Sequence, residues 1–193
     1  RAGLQVQGGF IVGFDSDGPS IFQRQIDFIQ SSGIVTAMVG LLQAIPGTRL
    51  YERLKGENRI VGLSSGDNVD GTTNIRSTMS AEQLREGYQE ILKHIYAPRH
   101  YYKRVRTFLR EYRAPQRPKV RLQFDDLLAF LRSTIRLGVI GRGRLHYWGL
   151  LVWTRLRRPE SFTLAVTLAI AGYHFRKVCK LHVLKPAPGG GAA

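Results

Sequence analysis

Chemistry in a protein chain needs acids, bases, nucleophiles or metal ligands at workable spacings, and in these 193 residues the candidates are few. Asp67-Asn68-Val69-Asp70-Gly71 has the outline of a calcium loop. It lacks the alternating oxygen ligands and the distal glutamate that calcium requires, so it reads either as the border of a substrate pocket or as a polar surface crossing. Gln43 is a second candidate, a polar residue two positions after Leu41 at the carboxyl end of an apolar run. Cys179 and His182 have a metal-like spacing, but two ligands do not close a zinc site. The sequence holds one cysteine, which excludes an intramolecular disulfide and any multi-cysteine metal or iron–sulfur site built from this chain alone. His94, His100, His146 and His174 are scattered, and for Cys179 and His182 the favoured role is packing on a basic helix.

The elements that must position these residues fall into two halves. Hydrophobic residues at 43% and charged residues at 22% make a globular composition and not a disordered one. Residues 1–80 hold seven Lys+Arg and seven Asp+Glu, whereas residues 81–193 hold 22 and seven, so the whole excess of +15 sits in the second half. In the first half, Gly8 to Phe14 is a glycine-bounded apolar run that reads as a strand buried on both faces. Asp15 to Pro19 is a turn. The helix that follows runs to about Ser32, with Ile21, Phe22, Ile26 and Ile29 on one stripe and Gly33 as its stop. Val35 to Leu42 is a second strand, Pro46-Gly47 a turn, and Thr48 the cap of a short helix carrying Leu50, Tyr51 and Leu54. Strand, helix and strand at this spacing form a βαβ unit with parallel pairing. Two strands leave their edges unpaired. Since the sequence is in strand pattern within a few residues of Arg1, the expectation is that it is the C-terminal part of a longer protein.

Four segments in order carry a family resemblance. Gly9-Phe10-Ile11-Val12-Gly13-Phe14-Asp15, and the later Pro46-Gly47-Thr48-Arg49-Leu50-Tyr51, resemble the last part of a radical SAM catalytic domain. Ser65 to Asn74 and Tyr96 to Val105 are similar to the C-terminal extension of cobalamin-binding radical SAM proteins, a group that includes the hopanoid C-2 methylases. The resemblance implies a fold class of α/β followed by all-α: residues 1–78 as the last βαβ part of a partial (β/α) barrel, and 79–185 as a basic helical extension. Residues 186–193, all Pro, Gly and Ala, are expected to be a disordered tail. The resemblance also implies S-adenosylmethionine, a [4Fe–4S] cluster and cobalamin as cofactors, with radical attack on an unactivated carbon and methyl transfer or related chemistry. Gly9 and Gly13 would let the backbone approach the adenosyl group, with Ile11 against the adenine; the plain alternative is that these glycines relieve crowding in a buried strand. Gln43, Asp67, Asn68 and Asp70 would border the substrate. Some relatives carry a Glu where Ser16 stands here, one residue after Asp15, so no carboxylate contact to ligand is assigned there. Neither cluster cysteines nor a cobalamin-binding domain is present, so this chain alone is expected to be inactive.

The second half reads as helices. Ser80-Ala81-Glu82-Gln83 is a capping box, followed by a stripe of Leu84, Tyr88, Ile91, Leu92 and Ile95. Pro98 opens a helix with Tyr101, Val105, Phe108 or Leu109, and Tyr112 inward, and Arg113 to Arg121 reads as a linker. Three further helices are expected: Phe124 to Leu137 with Leu127, Leu128, Leu131 and Ile135 grouped, about Leu145 to Leu156, and one opened by Pro159-Glu160. The longest apolar stretch, Phe162 to Tyr173, is shorter than the roughly 20 residues of a spanning helix. The expected partner is the N-terminal part of the same protein. For the apolar helices flanked by Arg155, Arg157, Arg158, Arg176, Lys177 and Lys180, the plain reading is a solvated bundle whose apolar faces pack on each other or on that N-terminal part. Peripheral contact with an anionic membrane is the functional alternative, and RNA a weaker one because no nucleic-acid motif accompanies the charge. The expected location is cytoplasmic, with such membrane association as its variant.

Overall fold

A computed structural model describes residues 3–66, 70–113 and 124–183. Among these, two strands and seven α-helices form a mixed, mostly helical α/β structure: β1 (Gln7–Val12), α1 (Ser20–Ser32), β2 (Thr36–Leu41), α2 (Arg49–Gly56), α3 (Ala81–Tyr96), α4 (Pro98–Glu111), α5 (Phe124–Ser133), α6 (Arg144–Arg157) and α7 (Phe162–Val178). π-helical turns follow α5 (Thr134–Val139) and α7 (Cys179–Val183). The chain divides into a strand unit, mainly residues 7–29 and 36–95, and a helical unit, mainly residues 30–35 and 96–177.

In the strand unit, β1 and β2 pair in parallel, Gln7 opposite Thr36 through Val12 opposite Leu41. The expected βαβ unit is therefore present. Phe22, Ile26 and Ile29 of α1 are buried, and Gly33 follows at φ +72°, a left-handed backbone that suits glycine. The expectation that β1 is buried on both faces is wrong. Val12 is buried and Phe10 meets Phe28 of α1 edge-on, ring centroids 6.0 Å apart, but on the opposite face Ile11 is 47% exposed and Met38 of β2 50% exposed. One face packs on α1, and no layer of described residues covers the other. The strand also stops at Val12 and not at Phe14, because Gly13 turns to φ +107° and leaves the extended path. Thr48 accepts the Tyr51 N–H at 3.2 Å and caps α2. Ser80 and Gln83 exchange hydrogen bonds as a capping box, Gln83 N to Ser80 Oγ at 3.2 Å and Ser80 N to Gln83 Oε1 at 3.4 Å. Leu84, Tyr88, Ile91, Leu92 and Ile95 of α3 are all buried, as the sequence stripe requires.

The helical unit is built around α4. Pro98 occupies its first turn, and Tyr101, Val105 and Leu109 are fully buried, so Leu109 and not Phe108 takes the inward place. Arg104 is fully buried as well. Its Nε donates to Ile34 O at 3.1 Å, its Nη1 to Gln30 Oε1 at 3.1 Å, and its guanidinium lies 5.5 Å from the Tyr101 ring. Burial pushes the guanidinium down to about 10, which still leaves it charged at neutral pH. The Tyr101 hydroxyl donates to Leu168 O of α7 at 2.7 Å, and Gly172 opens the notch: a Cβ there would stand 2.2 Å from the Tyr101 ring.

The remaining helices bury only part of their apolar residues. Leu131 and Ile135, expected in one group, do share a face, but it is an open one: they are 54% and 50% exposed, whereas Leu137 is buried. On α6, Tyr147 and Leu151 are buried, but Trp148 and Val152 lie outside. On α7, Ala165, Val166, Leu168 and Ala169 are buried and Ile170 is 39% exposed. The linker expected over Arg113 to Arg121, apart from Arg113 itself, and the tail expected over 186–193 lie outside the described residues.

Gly87 of α3 is the tightest approach in the strand unit: an added Cβ would meet the Phe22 ring of α1 at 2.4 Å. Alanine is the better helix former by about 1 kcal/mol. Overpacking against a buried ring costs about 1–3 kcal/mol and outweighs that gain. Gly87→Ala should therefore lower the urea midpoint, and an unchanged or raised midpoint would contradict this packing.

Candidate functional site

The carboxyl ends of β1 and β2 are where the strand unit gathers its polar side chains. After β1 the chain must turn sharply, and Asp17 makes the turn by accepting the Gly13 and Phe14 N–H groups on Oδ2 at 2.9 and 3.0 Å. After β2 the strand edge is completed by side chains from further along. Asn74, 3% exposed, accepts the Ala44 N–H and donates to Ala44 O, both at 2.8 Å, and Thr73 Oγ1 donates to Leu42 O at 2.6 Å. Backbone bonds from Val61 N to Asn74 O and from Arg76 N to Arg59 O clip the two ends of the intervening loop together. Leu42, Ala44, Leu54 and Ile75 form the buried cluster beneath.

Gln43 stands between those anchors. Its Nε2 donates to Ser65 Oγ at 3.1 Å and to Thr72 O at 3.3 Å, and its Oε1 accepts the Ser64 hydroxyl at 2.5 Å. Its side chain thus ties the strand end to both limbs of the loop. Asp70 accepts the Thr72 N–H and hydroxyl, each at 2.8 Å. Burial alone would raise its pKa, but hydrogen bonds from the Thr72 backbone and from Ser65 and Thr72 hold the carboxyl below its ordinary value. Gln43 and Asp70 therefore share one network with Ser64, Ser65 and Thr72. Asp67 and Asn68 lie outside the described residues.

The three β1 candidates separate. Gly9 and Ile11 share the open face of the sheet, and a Cβ on Gly9 would meet nothing within 4 Å. Gly13 is buried, and a Cβ there would contact Leu84 at 3.4 Å and Leu42 at 3.7 Å. Asp15 faces two arginines: Arg59 Nη2 at 2.5 Å and Arg53 Nη2 at 2.9 Å. The hydrogen bond from Arg59 foremost, with Arg53 beside it, holds the Asp15 carboxyl below the usual carboxylate range. Nothing in residue spacing announced this pairing, or the Asn74 clamp, since each joins positions about 30 or more apart. Cys179 is buried, which pushes its thiol up to about 11. Among the described residues, no three His, Cys, Asp or Glu side chains come together as a metal site, and no helix is long and apolar enough to cross a membrane.

With this geometry in hand, residues 48–185 match the family described as Domain of unknown function (DUF4070), so the chain belongs to that family. Curated relatives agree with the group recognised from the motifs, the cobalamin-binding radical SAM proteins that include the hopanoid C-2 methylases. An uncharacterized methyltransferase of Synechocystis is 32% identical over 183 residues, which cover 91% of this chain and 33% of the relative. The hopanoid C-2 methylase of Rhodopseudomonas palustris is 27% identical over 177 residues, 88% of this chain and 32% of the relative. The bacteriochlorophyllide d C-12(1)-methyltransferase of Chlorobaculum tepidum is 29% identical over 93 residues, 48% of this chain and 20% of the relative. The chain thus spans about a third of the length of the first two. No solved structure matches it.

The depressed Asp15 carboxyl contributes stability that is present above the unfolded-state pKa and lost as pH falls through the folded one. The groups are partly exposed, so the effect is small, under about 1 kcal/mol. Asp15→Asn should lower stability at neutral pH and leave it unchanged in strong acid, measured by urea denaturation at both. An equal loss at both pH values would show that the carboxylate charge is not what counts.

Proposed function

We propose that this chain is the C-terminal part of a cobalamin-dependent radical SAM methyltransferase acting on an unactivated carbon. In this reading β1 and β2 are the last strands of a partial (β/α) barrel, and residues from about 79 onward are its helical extension. The observation that carries it is the one-sided sheet. Phe10 and Val12 face the α1 side, while Gly9, Ile11 and Met38 line a face that no described residue covers, which in a barrel is the inner face, with the ligand held at the carboxyl ends of the strands. When bound, S-adenosylmethionine and the reduced cluster supply a carbon-centred radical, and cobalamin supplies the methyl group.

The residues present fit the nucleoside and not the cluster. Bare backbone at Gly9 beside the half-exposed Ile11 side chain leaves room for a flat apolar ring. A [4Fe–4S] cluster is held by several thiolates, and the one thiol here is buried and protonated at neutral pH. Cluster and cobalamin ligands are therefore assigned to sequence preceding Arg1, where a C-x-x-x-C-x-x-C motif is expected. Gln43 fixes the loop carrying Asp70 at the strand ends, where it borders the substrate side of the pocket. This chain by itself is then inactive.

Two glycine variants of the full-length enzyme test the placement. Gly9→Val adds a side chain where nothing stands, so it should leave the melting temperature unchanged and weaken S-adenosylmethionine binding at least tenfold. Gly13→Val forces a branched residue to φ +107° and should cost about 1–3 kcal/mol of stability. Unchanged cofactor affinity in a folded Gly9→Val enzyme would sink the reading of the open face.

A further inference from the structure

The helical unit holds a cleft that the reading above does not use. It has a volume of about 300 Å³ and lies along α4, lined by Arg99, Lys103, Arg106 and Arg110, with Tyr102 and His146 among its other walls. The four cations recur at intervals of four, three and four residues, so they share one helix face over about 16 Å. Like charges at such spacings repel each other by a few tenths of a kcal/mol per pair. Among the described residues no carboxylate forms an ion pair with any of the four.

Arg106 is the deepest of them. Gly149 of α6 makes room for it, since a Cβ there would come within 2.9 Å of Arg106 Nη2. Its Nε is buried and has no hydrogen-bond partner among the described residues. A buried guanidinium N–H without an acceptor is costly, and a planar fork of donors matches the oxygens of phosphate in bidentate fashion. Tyr102 and His146 stack beside it, with ring centroids 6.4 Å apart and planes at 27°. The outer cations, Arg99, Lys103 and Arg110, are exposed around the mouth.

We propose that this cleft is an anion site for a phosphomonoester or diphosphate group, with Arg106 as the inner donor and Arg99, Lys103 and Arg110 around it. Four cations call for more than one negative charge, which a carboxylate does not supply. The group can reach the cleft on a soluble organic phosphate or as the headgroup of an anionic lipid. The inference stands apart from the radical SAM reading, because none of these residues belongs to the strand unit.

The test is calorimetric titration of the chain with inorganic pyrophosphate at low salt, with circular dichroism as the folding control. Binding is expected, weakened at least tenfold in Arg106→Gln and again in Lys103→Gln, and within twofold of the parent in Arg132→Gln, an exposed arginine on α5. Flotation with phosphatidylcholine vesicles carrying phosphatidic acid separates the sources. Flotation that pyrophosphate reverses, and that Arg106→Gln abolishes, identifies a lipid headgroup; pyrophosphate binding without flotation identifies a soluble phosphate. Absence of pyrophosphate binding overturns the site. So does equal weakening in Arg132→Gln, which would mean diffuse charge, or binding of single-stranded RNA that pyrophosphate does not displace.

Discussion

The strand unit depends on how β2 ends. A parallel pair of strands leaves backbone donors and acceptors along its edge, and buried groups of that kind must be paired. Here the pairing comes from side chains. Asn74 offers both its carbonyl and its amide to Ala44, in the manner of a neighbouring strand, and Thr73 takes up Leu42 O. Losing Asn74 would strand two buried backbone groups at once, each worth about 1–3 kcal/mol. The same two residues close the loop that Gln43 grips from the other side. Fold and candidate site are thus held by one set of bonds, and the loop's polar character follows from this duty as much as from any ligand.

Glycine serves opposite ends in one short strand. At Gly13 the backbone itself requires it, through a positive φ and the nearby Leu84 and Leu42 side chains. At Gly9 neither conformation nor packing demands a missing side chain. A glycine that the fold does not need, on a sheet face that nothing described covers, is the stronger pointer to something that approaches from outside. In the helical unit a third use appears: Gly172 and Gly149 are notches into which Tyr101 and Arg106 settle.

Much of the fold was legible because its signals are local. Gly33 and Thr48, the Ser80–Gln83 box and Pro98 each mark a helix end with its neighbours in sequence, and the structure uses all of them in that way. The α1 and α3 stripes held for the same reason. What periodicity could not show was how many faces are covered: β1 has the composition of a strand buried on both sides, but Ile11 is half exposed. The same limit applies to Leu131 and Ile135, which share a stripe as their spacing requires but stand on an open face. In the site, Gln43 was visible as a polar residue closing an apolar run. Arg59 with Asp15, Asn74 with Ala44 and Arg104 with Gln30 were not, since they join residues 30 to 74 positions apart and only the tertiary fold brings them together.

Both tryptophans of the chain, Trp148 and Trp153, lie on α6. The Trp148 indole N–H donates to Gly138 O at 3.0 Å, and Arg110 lies over the Trp153 ring at 5.8 Å. Ultraviolet emission excited selectively in the indole band therefore originates in the helical unit alone. The strand unit, whose aromatic side chains are Phe and Tyr, is dark in that band. A single optical experiment thus follows one half of the molecule without labels while the other goes unseen.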